Sequence, residues 1–212
     1  MIKLAQIAAM FARMFAFVLA IIGLAALRAQ FDALIGVALA TDRIWAMAGY
    51  FTILTNALLV THLLAITKGW QISSARAAGL LVSIGAVGII YHALLASQFP
   101  TEGLSWWADL GLHTAMPLGF ALWWLVFAPK AVQWRDLPQW LIWPALYGGY
   151  ALIRGAQTGF WPYAFLNADA LGWAHVGRNL AALVLALTLL CLAVAAAARI
   201  LHANRFQSAK PA

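Results

Sequence analysis

Long apolar runs divided by short polar connections set the pattern of this chain. Six runs approach the roughly 20 residues a helix needs to cross a bilayer: about 7–28, 44–66, 76–97, 105–128, 138–158 and 175–201. In hydrocarbon each segment has to satisfy its own backbone hydrogen bonds, so the runs predict helices. The expected architecture is all-α: one bundle of six transmembrane helices, a single domain over 1–212. Pro100, Pro129, Pro138 and Pro162 fall at the expected connections or span ends. Trp106, Trp107, Trp134, Trp140, Trp161 and Trp173 lie near span ends, as interfacial belt residues do. Gly85 and Gly88, Gly148 and Gly149, and the Gly155–Gly159 pair are expected at helix contacts. The first run starts basic and continues apolar, like a signal peptide. Its length, its interruption by Arg13 and the five runs that follow make it a retained helix.

Composition agrees with a lipid-embedded chain. With 65% hydrophobic and 9% charged residues and a mean hydropathy of +0.88, there is too little polar surface to cover a soluble domain. With six spans both termini share one side, which holds Lys3, Lys68, Arg76, Lys130, Arg135, Arg199, Arg205 and Lys210. Arg28, Arg43, Arg154 and Arg178 face the other side, with Glu102, Asp109 and Asp169. The positive-inside rule then places both termini in the cytoplasm. The net charge of +7 becomes a topology signal and an attraction to anionic headgroups of the membrane lipids. Scattered rather than gathered in a stripe, it does not suit nucleic acid. Cys191 is the single cysteine, so an internal disulfide is excluded.

Polar residues inside the runs carry the candidate chemistry, because burying them in a membrane is costly. Thr52 and His113 each lie about eight residues from the outer start of an inward-running span, roughly 12 Å deep at the helical rise. Asp109 sits one turn outward of His113, and Asn56 one turn inward of Thr52. His92, Arg154, His175, Arg178 and Asn179 approach the same boundary from the other spans. The inner half is nearly bare apart from Thr61 and His62. Pro117 has no N–H for the His113 carbonyl, which predicts a kink and a pocket at that level.

Each residue also has a plainer reading. A membrane threonine commonly bonds its own i−4 carbonyl, and a buried histidine can simply join two helices. Arg154 and Arg178 can snorkel to headgroups, Asp109 can neutralise either of them, and His62 and His92 can be packing residues.

The stretches YFTILTN (50–56), ADLGLHTAMP (108–117), WPALYGGYALIRG (143–155) and GFWPYAFLN (159–167) resemble the signature segments of the androgen-induced protein family of six-pass membrane proteins, its bacterial branch in particular. The resemblance runs in order across nearly the whole chain. It implies an integral protein of the bacterial inner membrane that hydrolyses fatty acid esters of hydroxy fatty acids. The implied nucleophile is Thr52 rather than Thr55, with His113 as its partner. Asp109 has no counterpart in the animal members.

The chemistry is coherent in its own terms. A threonine hydroxyl needs an adjacent base, for which His113 has to come within about 2.6–3.2 Å, and Asp109 is placed to fix the imidazole tautomer. Asn56, Arg154, Asn179, Arg178, His92 or freed backbone N–H groups are candidates to bind the substrate or its oxyanion. A site at that depth favours long-chain acyl esters as substrates, with no cofactor. Two other readings stand beside it. One is a transporter or lipid-binding protein that uses the same pocket without chemistry. The other is a haem or metal protein built on His92 and His113, with His62 as a further ligand.

Overall fold

A computed structural model describes residues 2–37, 39–96 and 102–207. The expected break at Pro100 lies outside them. The described chain is helical, without strands: α1 (Ile2–Ala33), α2 (Ala40–Met47), α3 (Phe51–Thr67), α4 (Ser74–Ile90), α5 (Gly103–Leu110), α6 (Met116–Phe127), α7 (Leu137–Trp140), α8 (Ile142–Thr158), α9 (Ala168–Leu171) and α10 (Trp173–Gln207). Wider π turns, Tyr91–Leu95 and Gly111–Ala115, extend α4 and join α5 to α6. Among the described residues, four helical segments are long and apolar enough to cross a membrane: Leu4–Ala33, Ser74–Leu95, Gly103–Phe127 and Trp173–Ala203. A fifth would be the pair α2 and α3, which is bent by 95°.

That bend corrects the expected second span. The run 44–66 is not one straight helix, because Gly49 and the extended Tyr50 (φ −105°, ψ 133°) turn the chain before Phe51. A Cβ on Gly49 would lie 2.4 Å from the Phe160 ring and 2.9 Å from Arg154 Nη1, so the turn is packed too closely for a larger residue. Thr52 is therefore the second residue of α3, and counting from residue 44 does not measure its depth.

The bundle is built around α1, α3, α4 and α6. Helix α1 packs on α3, α5 and α6, and α4 on α3, α6 and α10. Leu59, Leu63, Ile84, Met116, Phe120 and Trp124 form its dry centre, while Met10, Met14, Val184, Leu185 and Leu189 face outward. An exterior this apolar needs hydrocarbon around it. Glycines permit the close contacts. A Cβ on Gly111 would sit 2.5 Å from Ala26 Cβ, and one on Gly119 would sit 2.4 Å from Leu19 Cδ2. Gly88 lies against Pro117 as expected, with its Cβ position 3.1 Å from the proline ring. Gly148 and Gly149 do not behave so: a Cβ at either meets nothing within 4 Å, and neither makes a helix contact. Trp140 also departs from expectation. It is buried against Gly79 rather than lying in a belt.

Gly111→Val is expected to cost about 1–3 kcal/mol through overpacking against α1. It should appear as a lowered melting midpoint of the detergent-purified protein. An unchanged midpoint would contradict the packing described between α1 and the wide turn at 111–115.

Candidate functional site

Thr52 and His113 meet. Thr52 Oγ1 lies 3.2 Å from His113 Nε2, and His113 Nδ1 lies 2.9 Å from Asp109 Oδ1. A carboxylate only accepts, so Nδ1 carries the ring proton and donates it to Asp109. That leaves the Nε2 lone pair to accept the Thr52 hydroxyl. The His113 and Asp109 side chains are 16% and 21% exposed, shielded enough for the pairing to hold and open enough to be reached.

The backbone explains this register. Met116 N–H bonds Gly111 O, five residues back. One residue further, the same register sets Pro117 opposite Leu112 O, and proline has no N–H to give. Asn56 Nδ2 serves that carbonyl at 3.2 Å and also the Thr52 carbonyl at 2.9 Å. The expected kink is thus a widened turn, and the carbonyl set opposite proline is that of Leu112, not His113. Wide turns of this kind recur at functional sites. Buried Asn56 fastens the first turn of α3, which carries Thr52, to the wide turn that carries His113. With its amide committed to two carbonyls, it is not an oxyanion donor.

Two tyrosines complete the arrangement. Tyr91, in the other wide turn, stacks on His113 with ring centroids 3.7 Å apart and planes 11° apart, and its hydroxyl faces Asp109. The Tyr163 hydroxyl accepts Phe51 N–H at 3.1 Å and adjoins the Thr52 side chain and N–H. Its ring edge is partly exposed, but its hydroxyl is buried against the start of α3. That burial raises its pKa and keeps it a neutral donor. The first N–H groups of a helix lack internal partners, and Ile53 N–H, beside Thr52, meets no backbone carbonyl. Sequence reading assigned neither tyrosine a role. Tyr163 lies in the 159–167 segment, but nothing in a single sequence shows where a phenol points.

The remaining expected site residues do not bond Thr52. Arg154 is buried between the rings of Trp45 and Phe160, at 4.0 and 4.4 Å, and donates to the Tyr150 hydroxyl at 3.0 Å. It holds the Gly49 turn rather than reaching Thr52. Asn179 Nδ2 donates to Phe165 O at 2.8 Å, steadying the segment that carries Tyr163. Arg178 is exposed on α10 and borders neither cavity at the site. Exposed His92 lies beside Tyr91 and near Asp109 and shares a 3.0 Å hydrogen bond with the Thr114 hydroxyl, whereas His62 lies against Trp70 and bonds Leu58 O at 2.8 Å. The three histidines of the metal reading therefore do not converge. Among the described residues no three His, Cys, Asp or Glu side chains form a metal-binding group.

Thr52 stands where two cavities adjoin. The first, about 460 Å³, extends between α4, α8 and α10 and is lined almost wholly by apolar groups, Thr52, Tyr91 and Tyr163 being at its polar end. The second, about 280 Å³, contains His113, Asp109, Ser105 and Gln30 and is the more polar. Helix α8 is tied to the Gly49 turn and to α3 by two side-chain bonds: Tyr147 to Gly49 O at 2.8 Å and Trp143 Nε1 to Thr55 Oγ1 at 3.0 Å.

No family model, curated protein or solved structure matches this chain. A hydroxyl, an imidazole and a carboxylate are linked in series, with a phenol and the open Ile53 N–H beside the hydroxyl and an apolar cavity leading to it.

Proposed function

We propose that the protein is an intramembrane hydrolase of long-chain acyl esters, with Thr52 as nucleophile and His113 as base. The observation that carries this reading is the continuous relay from Thr52 Oγ1 through His113 to Asp109 at 3.2 and 2.9 Å. The resemblance of 50–56, 108–117, 143–155 and 159–167 to the androgen-induced protein family supports it.

In this reading Thr52 Oγ1 attacks the ester carbonyl carbon while its proton passes to His113 Nε2. Asp109 and the stacked Tyr91 ring stabilise the imidazolium that forms. The oxyanion is met by the Tyr163 hydroxyl and by the Ile53 N–H at the start of α3, whose dipole also favours negative charge. Collapse breaks the bond to the alcohol oxygen, which takes the proton back from His113 and leaves an acyl-Thr52. Water then attacks the acyl carbon, giving its proton to His113. When the acyl bond breaks, that proton returns to Thr52 Oγ1 and the fatty acid is released.

The same reading takes α2–α3 as one broken span and α7–α8 as another, which gives six spans with both termini cytoplasmic, in a bacterial inner membrane. The site then lies toward the non-cytoplasmic leaflet, where acyl chains enter from the bilayer and water from outside.

The test is hydrolysis of a long-chain ester panel by detergent-purified protein. Release of fatty acid by the native chain and none by Thr52→Ala is expected; equal release by both contradicts the proposal. Tyr163→Phe is expected to lower kcat on the order of 10²-fold, the usual effect of losing one oxyanion donor. KM should hardly move. A KM effect with unchanged kcat would remove Tyr163 from that role.

A further inference from the structure

The Gly148–Gly149 pair is unexplained by packing. A glycine inside a helix weakens it relative to alanine, and in membrane helices such residues usually let two backbones approach. Gly23, Gly111, Gly119 and Gly155 are each closely packed, since a Cβ on each would lie 2.3–2.5 Å from a neighbouring side chain. At Gly148 and Gly149 the same Cβ enters open space. That space is the apolar cavity, whose wall includes both glycines. Gly149, with Ala145 on α8 and Val184 on α10, is exposed, so the cavity opens sideways between these two helices, toward the surrounding hydrocarbon.

The dimensions suit a chain. Tyr147 is level with the start of α3, where its ring lies 5.1 Å from that of Phe51. From Tyr147 the lining of α8 continues through Pro144 to Leu141, six residues or about 9 Å along the helix. An extended hydrocarbon with bonds of about 1.5 Å advances roughly 1.25 Å per carbon. Some seven carbons beyond the ester therefore lie within the cavity before its end at Leu141 and Leu187 or the side opening.

We propose that Gly148 and Gly149 set which acyl chains the site accepts: side chains there would lean toward the start of α8, over Pro144 and Ala145, and their absence keeps open the channel that runs from Thr52 toward Leu141. This rests on the hydrolase reading for its catalytic consequence but not for the binding event. A Cβ at either position meets nothing within 4 Å, so Gly148→Leu and Gly149→Leu project into the channel from its wall, and a melting curve verifies that each variant folds.

Two measurements separate the claims. In the first, nitrophenyl butanoate and dodecanoate are compared as substrates. The dodecanoate-to-butanoate ratio of kcat/KM is expected to fall at least about tenfold in Gly148→Leu, because displacing two methylenes already amounts to that. In the second, octanoic acid bearing a terminal diazirine is cross-linked to native protein, to Thr52→Ala and to Gly148→Leu, and the adducts are mapped by mass spectrometry. Adducts at the Leu141–Ala145 or Leu183–Leu187 walls are expected in the first two and lost in Gly148→Leu. Absence of hydrolysis, with that cross-linking pattern intact, would sink the hydrolase reading and leave the channel standing. Adducts elsewhere, adducts unaffected by Gly148→Leu, or an unchanged chain-length ratio in an active enzyme would overturn the channel itself.

Discussion

Asp109→Asn is expected to lower kcat by about 10²–10⁴-fold while leaving the fold intact. The carboxylate accepts the His113 Nδ1 proton at 2.9 Å. An asparagine amide presents its N–H₂ there as readily as its carbonyl. Imidazole then shifts to the tautomer with the proton on Nε2, which faces Thr52 and cannot accept its hydroxyl. The loss should therefore fall on kcat, since no contact with an acyl chain is removed. Kinetics of the variant beside its melting curve checks this. A variant as active as the native chain would reduce Asp109 to an electrostatic partner of a buried histidine.

Removing both members of the couple is expected to cost no more than removing one. Thr52→Ala and His113→Ala should each depress hydrolysis on the order of 10³-fold or more, and the double variant should fall to the same floor, because residues acting as one unit are strongly non-additive. The distance of 3.2 Å is at the long end for a hydroxyl handing its proton to a base, and such contacts tighten when substrate is bound. If the two losses multiplied instead, Thr52 and His113 would be acting independently, and a lipid-binding role for the pocket would become the better reading.

Much of this was legible in the sequence, though not always for the reason it suggested. Length and apolarity alone place α1, α4 and α10, because hydrocarbon demands continuous helices. They misplace α2, since a composition-based run takes no account of a 95° bend that depends on Arg154 and Phe160 packing over Gly49. The encounter of Thr52 with His113 was anticipated from equal residue counts. It comes about instead through the bend before α3 and the widened turn at 111–115. Asp109 was readable from its four-residue spacing, a local relation that survives the change of helix type. Asn56 was misread as a donor to substrate because its role depends on which carbonyl faces Pro117. That in turn depends on a hydrogen-bond register no single residue encodes. Tyr91 and Tyr163 escaped notice because aromatic rings are ordinary in membrane helices, and only tertiary structure shows that one covers an imidazole and the other reaches a helix start. Gly148 and Gly149 were read as contact residues, and the empty space beside them is equally invisible in sequence.

The decisive measurement is the site of covalent capture by a fluorophosphonate, which reacts with an activated hydroxyl as an ester would. Native protein in detergent is expected to carry the adduct on Thr52 Oγ1, located by peptide mass spectrometry, and to lose it in His113→Ala despite an unaltered melting curve. An adduct on another residue, or undiminished labelling of Thr52→Ala, would contradict the account.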